Sequence, residues 1–205
     1  MFLFVKLLDM TTKLTKAERT RRTRRAILDR AHLLFASQGY AATATEEMIQ
    51  GLGITRGALY HQFKGGKQAV FEAVVEEAYG KIATHITSQV HSIEDNWEQL
   101  VQASRAFLEI AQHDALRRIV FIEAPAVLSA ERLVQFDQYG FGLLQEGIQL
   151  MVEQEQLDVV DAEGFSHLLN GALNELAAWV AQHPDSQRLQ TAQALVEALL
   201  KQHHR

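Results

Sequence analysis

Residues 45–67, T-E-E-M-I-Q-G-L-G-I-T-R-G-A-L-Y-H-Q-F-K-G-G-K, decide how the rest of the chain is read. Met48, Ile49 and Leu52 recur at helical spacing, so Glu46 to Leu52 is expected to be a short helix with one apolar face. Gly53 then supplies a turn in which a positive φ costs nothing. Thr55 follows as an N-cap, its hydroxyl placed to accept from the free N–H groups of the next turn. Arg56 to Gln62 makes a second short helix whose inward positions are Leu59 and, just beyond it, Phe63. Arg56, Gly57, Ala58, Tyr60, His61 and Gln62 are left mostly outward. Two short helices around a tight turn, with a small polar outer surface, form a helix-turn-helix suited to a groove in DNA.

Toward the N-terminus, Thr15-Lys-Ala-Glu18 has the form of a capping box and opens a long helix that runs to Gly39. Ile27, Leu28, Ala31, Leu34 and Phe35 form its apolar stripe, and Tyr40 is expected to pack between this helix and the next. Arg19, Arg21, Arg22, Arg24 and Arg25 cluster near its start. Each alone fits a solvated helix face; as a group they fit phosphate contacts, which add affinity without sequence information. Residues 1–14 are read as a flexible N-terminal extension. The stretch M-F-L-F-V-K-L-L-D-M is short and lacks the basic start and cleavage site of a signal peptide, and Met10 offers an alternative start.

The net charge of −5 hides a division. Residues 1–67 hold 12 Lys+Arg against 5 Asp+Glu, giving +7, and the remainder holds 8 against 20, giving −12. Such halves fit a nucleic-acid-facing module joined to a separate body. The 205 residues include no cysteine and only two prolines, which favours an all-helical protein with neither disulfides nor thiolate metal sites. Its apolar runs fall short of the roughly 20 residues that span a bilayer.

I-T-R-G-A-L-Y-H-Q-F at 54–63, preceded by G-Y-A-A-T-A-T-E-E-M at 39–48 and followed by a Lys and an apolar helix, resembles the TetR family of bacterial transcriptional regulators. The match covers roughly residues 17 to 75; beyond it the chain is similar only in helical character and length. The K-G-G-K loop is a residue longer than the commonest family spacing between the Phe and the Lys. The resemblance implies an all-α chain of about nine helices: an N-terminal three-helix helix-turn-helix domain at 15–66, then an effector-binding and dimerisation domain at 67–205. It also carries DNA-binding roles onto particular residues. Thr43, Thr45 and Thr55 at helix starts, with Tyr60 and His61, are expected at phosphates, and Lys67 as a clamp on the backbone. Arg56, Gly57 and Ala58 at the front of the recognition helix are expected near base edges.

The body reads as further amphipathic helices. One, opened by Asp114, is expected to stop before Pro125, because the residue preceding proline avoids the helical region. Another, capped by Ser129, carries the unusual glycines 140, 142 and 147, which close packing or a cavity wall would justify. The last two helices are apolar on more than one face. Leu168, Leu169, Ala172, Leu176, Trp179, Leu195 and Leu199 therefore suggest a two-fold interface, as the family also implies. A dimer would set two recognition helices about 34–36 Å apart on successive half-sites. Phe107, Phe121, Phe136, Tyr139, Asn170 and Asn174 can line a cavity for a small apolar or aromatic effector, although each also fits ordinary core packing. No nucleophile–base pair, phosphate loop or metal cluster is present in the sequence, so no enzyme activity, metal or cofactor is expected. The reading is a cytoplasmic, homodimeric regulator bound to double-stranded operator DNA, a repressor released by an effector. The alternative is an effector-independent DNA-binding protein whose body only dimerises.

Overall fold

The computed structural model describes residues 15–205, except the side chain of Tyr139. The extension expected at residues 1–14 lies outside the described residues. Among these, nine α-helices follow in order, with no strand: α1 Lys16–Ala42, α2 Arg56–Gln62, α3 Lys67–Val90, α4 Asn96–Glu109, α5 Asp114–Leu116, α6 Ala124–Val127, α7 Ala130–Glu153, α8 Ala162–Gln182 and α9 Ser186–Lys201. A 3₁₀ turn at Ile110–Gln112 and a π-helical stretch at Arg117–Glu123 fill the path between α4 and α6.

The caps foreseen at Thr15 and Ser129 form, whereas Asp114 is the first residue of its helix and makes no side-chain cap there. Thr15 Oγ1 accepts from the Glu18 N–H at 3.2 Å, while the Glu18 carboxylate accepts from the Thr15 N–H at 2.6 Å. Asp95, Ser129, Asp161 and Asp185 cap α4, α7, α8 and α9 in the same way, each satisfying an otherwise orphaned donor.

Two apolar clusters result. The first gathers Ile27, Leu28, Ala31 and Phe35 of α1, Met48, Leu59 and Phe63 of the motif, and Val70, Phe71 and Val74 of α3. It continues into the body through Ile119, Val120 and Ala124. The second joins Leu100 and Leu108 of α4 and Ile148 and Met151 of α7 to Leu169, Leu173 and Ala177 of α8 and Val196 and Leu200 of α9. Phe107 and Phe121 pack against both.

Two expectations fail here. Glu46 to Leu52 is not a regular helix; Thr45 to Gly53 is a run of turns. The Ile49 N–H closes on the Glu46 carbonyl at 3.2 Å and the Leu52 N–H on the Ile49 carbonyl at 3.1 Å, three-residue closures. Gly51 and Gly53, at φ 78° and 66°, break any longer ladder. Met48 still reaches the core, but Leu52 is turned out to solvent. The second failure is at Pro125, which helix does not avoid. Ala124 sits at φ −60° and ψ −47°, and its N–H reaches the Ile119 carbonyl five residues back. Proline cannot supply the next α-type bond, and the wider π register re-routes the ladder around it. Burial of Ile119, Val120 and Ala124 in the first cluster outweighs the local preference.

Gly39, at φ 86° and ψ 171°, interrupts the regular course of α1, and a Cβ there would overlap the Glu123 carboxylate and crowd Arg118. Gly39→Ala is therefore expected to lower stability by about 1–3 kcal/mol for the backbone conformation alone. Urea unfolding of the two proteins checks this; equal midpoints would mean that the α1–body junction is loose.

Candidate nucleic-acid interface and ligand cavity

The recognition helix α2 starts as foreseen, with the Thr55 hydroxyl accepting from the Ala58 N–H at 3.2 Å and its own O–H left over as a donor. Leu59 is fully buried and Phe63 nearly so, which fixes the opposite side outward. Arg56, Gly57, Tyr60 and His61 are exposed, and Ala58 and Thr45 are half-buried. Nothing shields Gly57, since a Cβ there would come no nearer than 4.0 Å to the Thr55 hydroxyl. Arg56 lies 3.1 Å from Glu46 and 5.7 Å from the centre of the Tyr60 ring. An exposed pair of that kind holds weakly, so DNA can displace Glu46.

Thr43 and Lys67 do not stand where the phosphate reading needs them. Thr43 is 1% exposed, and its hydroxyl donates to the Gly39 carbonyl at 2.7 Å. The non-helical Gly39 needs that partner, so the side chain turns inward. Lys67 Nζ donates to the carbonyls of Tyr40 at 2.7 Å, Thr43 at 2.8 Å and Ala41 at 3.5 Å, and lies 4.2 Å from the centre of the Tyr40 ring. The ammonium thus serves the carbonyl end of α1, and a phosphate contact would require it to give up a partner. The long K-G-G-K loop is accommodated by Gly66, at φ 63°, whose missing Cβ leaves room for the Tyr60 ring.

The arginine cluster divides as well. Arg24 donates to the Gln62 carbonyl at 3.3 Å and stacks 4.3 Å over Phe63, closing the end of α2. Arg25 pairs with Asp29 and with Glu77 at 3.0 Å. Arg19, Arg21 and Arg22 are exposed on the same helix.

Behind this surface the body holds a cavity of about 680 Å³ between α3, α4, α7 and α8. Phe107, Phe136 and Asn170 line it, as the sequence led us to expect. Phe121 and Asn174 do not. Phe121 stands behind the wall, edge-on to Phe107 at 6.0 Å, and Asn174 donates to the Asn170 carbonyl at 3.1 Å. The side chain of Tyr139 lies outside the described structure. The sequence reading missed Glu76, Tyr79, Ile82 and Ile86 of α3 and Asp137 of α7. Burial, with the Asp137 charge adding to it, pushes the Tyr79 hydroxyl up to about 12, so it remains a neutral donor at ordinary pH. A signal for this cavity was present in the glycines of α7. Gly140 and Gly147 lie on its wall, with room for a Cβ at each.

The proposed two-fold face is also sorted by burial. Leu169 is fully buried in its own subunit and is removed from that face, because α8 turns Leu169, Leu173 and Ala177 toward the second cluster. Leu168 and Leu195 are 56% and 53% exposed, and Ala172, Leu176, Trp179 and Leu199 are half-buried around them.

The comparisons with known proteins agree with this geometry. Residues 27–74 match the family described as bacterial regulatory proteins, tetR family, and residues 97–203 match the tetracyclin repressor-like C-terminal domain. The crystal structure of a TetR-family transcriptional regulator from Pectobacterium atrosepticum is similar with a TM-score of 0.79 and 30% identity, covering 93% of this chain and 98% of that one. The Transposon Tn10 TetC protein of Escherichia coli is 24% identical over 169 residues, 82% of this chain and 85% of its own. The HTH-type transcriptional repressor KstR2 of Rhodococcus jostii is 28% identical over 155 residues, 71% and 74% of the two chains.

Lys67→Met should leave the α1 carbonyls without a donor and destabilise the fold by about 1–3 kcal/mol. It should leave the salt dependence of DNA binding unchanged. Fluorescence anisotropy across a salt series checks this, and a slope reduced by about one would return Lys67 to the phosphates. Tyr60→Ala should weaken binding without unfolding the protein. Arg56→Ala should relax preference at one position per half-site, by about 1–3 kcal/mol. Equal loss over all sequence variants would make Arg56 a phosphate contact.

Proposed function

This chain belongs to the TetR family of bacterial regulatory proteins, and from that premise we propose a homodimeric repressor that leaves its operator when a small molecule enters the body. It is a DNA-binding regulator of transcription rather than an enzyme. Repression, dimerisation and release by an effector form the proposal.

One observation carries the release step. Helix α3 belongs to both regions, since Val70, Phe71 and Val74 lie in the core beneath the recognition helix. Tyr79, Ile82, Ala83 and Ile86, one to four turns later, line the cavity. A ligand that moves the second half of α3 must therefore tilt or strain the first half, and with it Lys67 and the end of α1. Two recognition helices on one duplex have to keep a fixed separation, so a small tilt in each subunit is enough to cost a half-site. To turn 99 bound in 100 into 99 free, the effector must favour the released form by about 5.5 kcal/mol.

The exposed Leu168 on α8 and Leu195 on α9 support a four-helix contact between two copies. A dimer of this kind acts on DNA inside the cell.

The decisive experiment selects bound fragments from genomic DNA, then screens compounds for release from the selected operator. If no compound class releases the DNA or raises the unfolding temperature, the body serves only to dimerise. Independently, Leu168→Glu with Leu195→Glu should give monomers in sedimentation analysis and weaken operator binding by more than about tenfold. A dimer that survives both changes would place the interface elsewhere.

A further inference from the structure

We infer that the ligand of this cavity is a small organic cation: an amine, amidine or quaternary ammonium group carried on an aromatic or apolar body. The inference rests on reading the cavity as a ligand site and goes further by fixing the ligand's charge.

The wall is unusual in its balance of charge. It includes two carboxylates, Glu76 on α3 and Asp137 on α7, while no arginine, lysine or histidine lies on it among the described residues. Asp137 is half-buried, and Oδ2 accepts from the Asn170 amide at 2.9 Å, a neutral donor that leaves its charge uncompensated. Arg132, outside the wall, is stacked 4.5 Å over Phe136. It is already committed to Glu72 at 3.1 Å and to Gln135 at 2.7 Å. Lys81 of α3 lines a separate surface recess with Arg25 and Glu77 and is not on this wall. Arg25 faces Glu77, and Arg105 faces Glu197.

The remaining wall suits the body of such a ligand. Tyr79, Phe107 and Phe136 present aromatic rings, with Tyr79 stacked on Phe136 at 5.9 Å. Ring faces attract cations, as the seat of Arg132 on Phe136 already illustrates in this protein. Ile82, Leu144, Leu173 and Met151 supply apolar surface deeper in. A carboxylate ligand would meet two like charges and find no basic partner. A neutral ligand would leave the Asp137 carboxylate without a charged partner on the wall. A cation satisfies both constraints at once.

The test uses three naphthalene probes of matched shape: naphthylmethyl-trimethylammonium, naphthalenemethanol and naphthylacetate. Calorimetry on the full chain should rank the ammonium first, about tenfold or more above the acetate. Asp137→Asn should remove most of the ammonium's advantage over the alcohol, and Glu76→Gln, at an exposed position, a smaller part. Unfolding temperatures establish that each variant is folded, and the ranking on the unmodified protein stands even if Asp137→Asn is not. Acetate binding as tightly as the ammonium would overturn the inference, as would binding of none of the three. So would an unchanged ammonium preference in a folded Asp137→Asn protein, which would leave Asp137 only a partner for Asn170. Operator release by the same probes is read separately. An ammonium that binds without releasing DNA defeats the effector reading and leaves the ligand class intact; release by the acetate alone does the reverse.

Discussion

The backbone of Tyr40 is held on both sides, through its N–H and its carbonyl, and the orientation of the DNA-reading module depends on it. Its N–H donates to Glu123 of the body at 3.0 Å, and its carbonyl accepts from Lys67 of α3 at 2.7 Å. Arg118 completes the joint by donating to the Ser37 carbonyl at 2.8 Å and to Glu123 at 3.3 Å. Helix ends present carbonyls that must find donors. Here Lys67 and Arg118 supply them from two different elements, so α1 cannot shift without breaking charge-assisted bonds at half-buried sites. Gly39 allows the approach, since any side chain would occupy the space of the Glu123 carboxylate. The tilt of the helix-turn-helix against the body is thereby held by a few short bonds as well as by the apolar cluster that crosses the junction.

The same joint draws on both ends of the π-helical stretch, and the residue that abuts the cavity wall lies between them. Glu123 and Arg118 grip α1, while Phe121, between them in sequence, abuts the cavity-lining Phe107. A π register is a local compromise in the ladder, and such stretches recur where a helix has to adjust. Pressure on Phe107 from a bound ligand would reach Phe121 directly and the Tyr40 peptide one helical turn later. That path is separate from α3, so two elements connect the cavity to the helix-turn-helix. Contiguity alone does not establish coupling. A joint made of discrete hydrogen bonds does supply what coupling requires, an element with a made state and a broken state.

How much of this was legible in the sequence follows from the distance over which each feature is decided. Thr15 with Glu18, Thr55 with Ala58 and Ser129 with Arg132 are settled within three residues, and all were readable. Leu59 and Phe63 followed from helical period. Lys67 was not readable, because its partners lie 24 to 27 residues away, and the Tyr40–Glu123 bond spans 83. Leu168 and Leu169 illustrate a different limit. Adjacent leucines on a helix with two apolar faces have equal claims on the interface until packing against α4, α7 and α9 decides which one is buried. The cavity was half readable: Phe107 and Phe136 stood out by type, while Tyr79 and Asp137 acquire meaning only through the crossing of α3 and α7.

The charge division takes on a further role once the body's acidity is located. A net −12 beyond residue 67 looks like a handicap in a DNA-binding protein. Yet it acts on orientation, because only the basic end can approach the duplex without repulsion, and the field extends about 10 Å at ordinary salt. Two of those acidic groups, Glu76 and Asp137, lie on the cavity wall, which carries no basic side chain among the described residues. The same surplus that faces the head toward DNA therefore raises the local concentration of cations around the body. A cation that settles beside Asp137 would meet a carboxylate whose side-chain partner is the neutral Asn170 amide. The electrostatic arrangement that presents one end of the molecule to a polyanion thus favours the opposite kind of ligand at the other end.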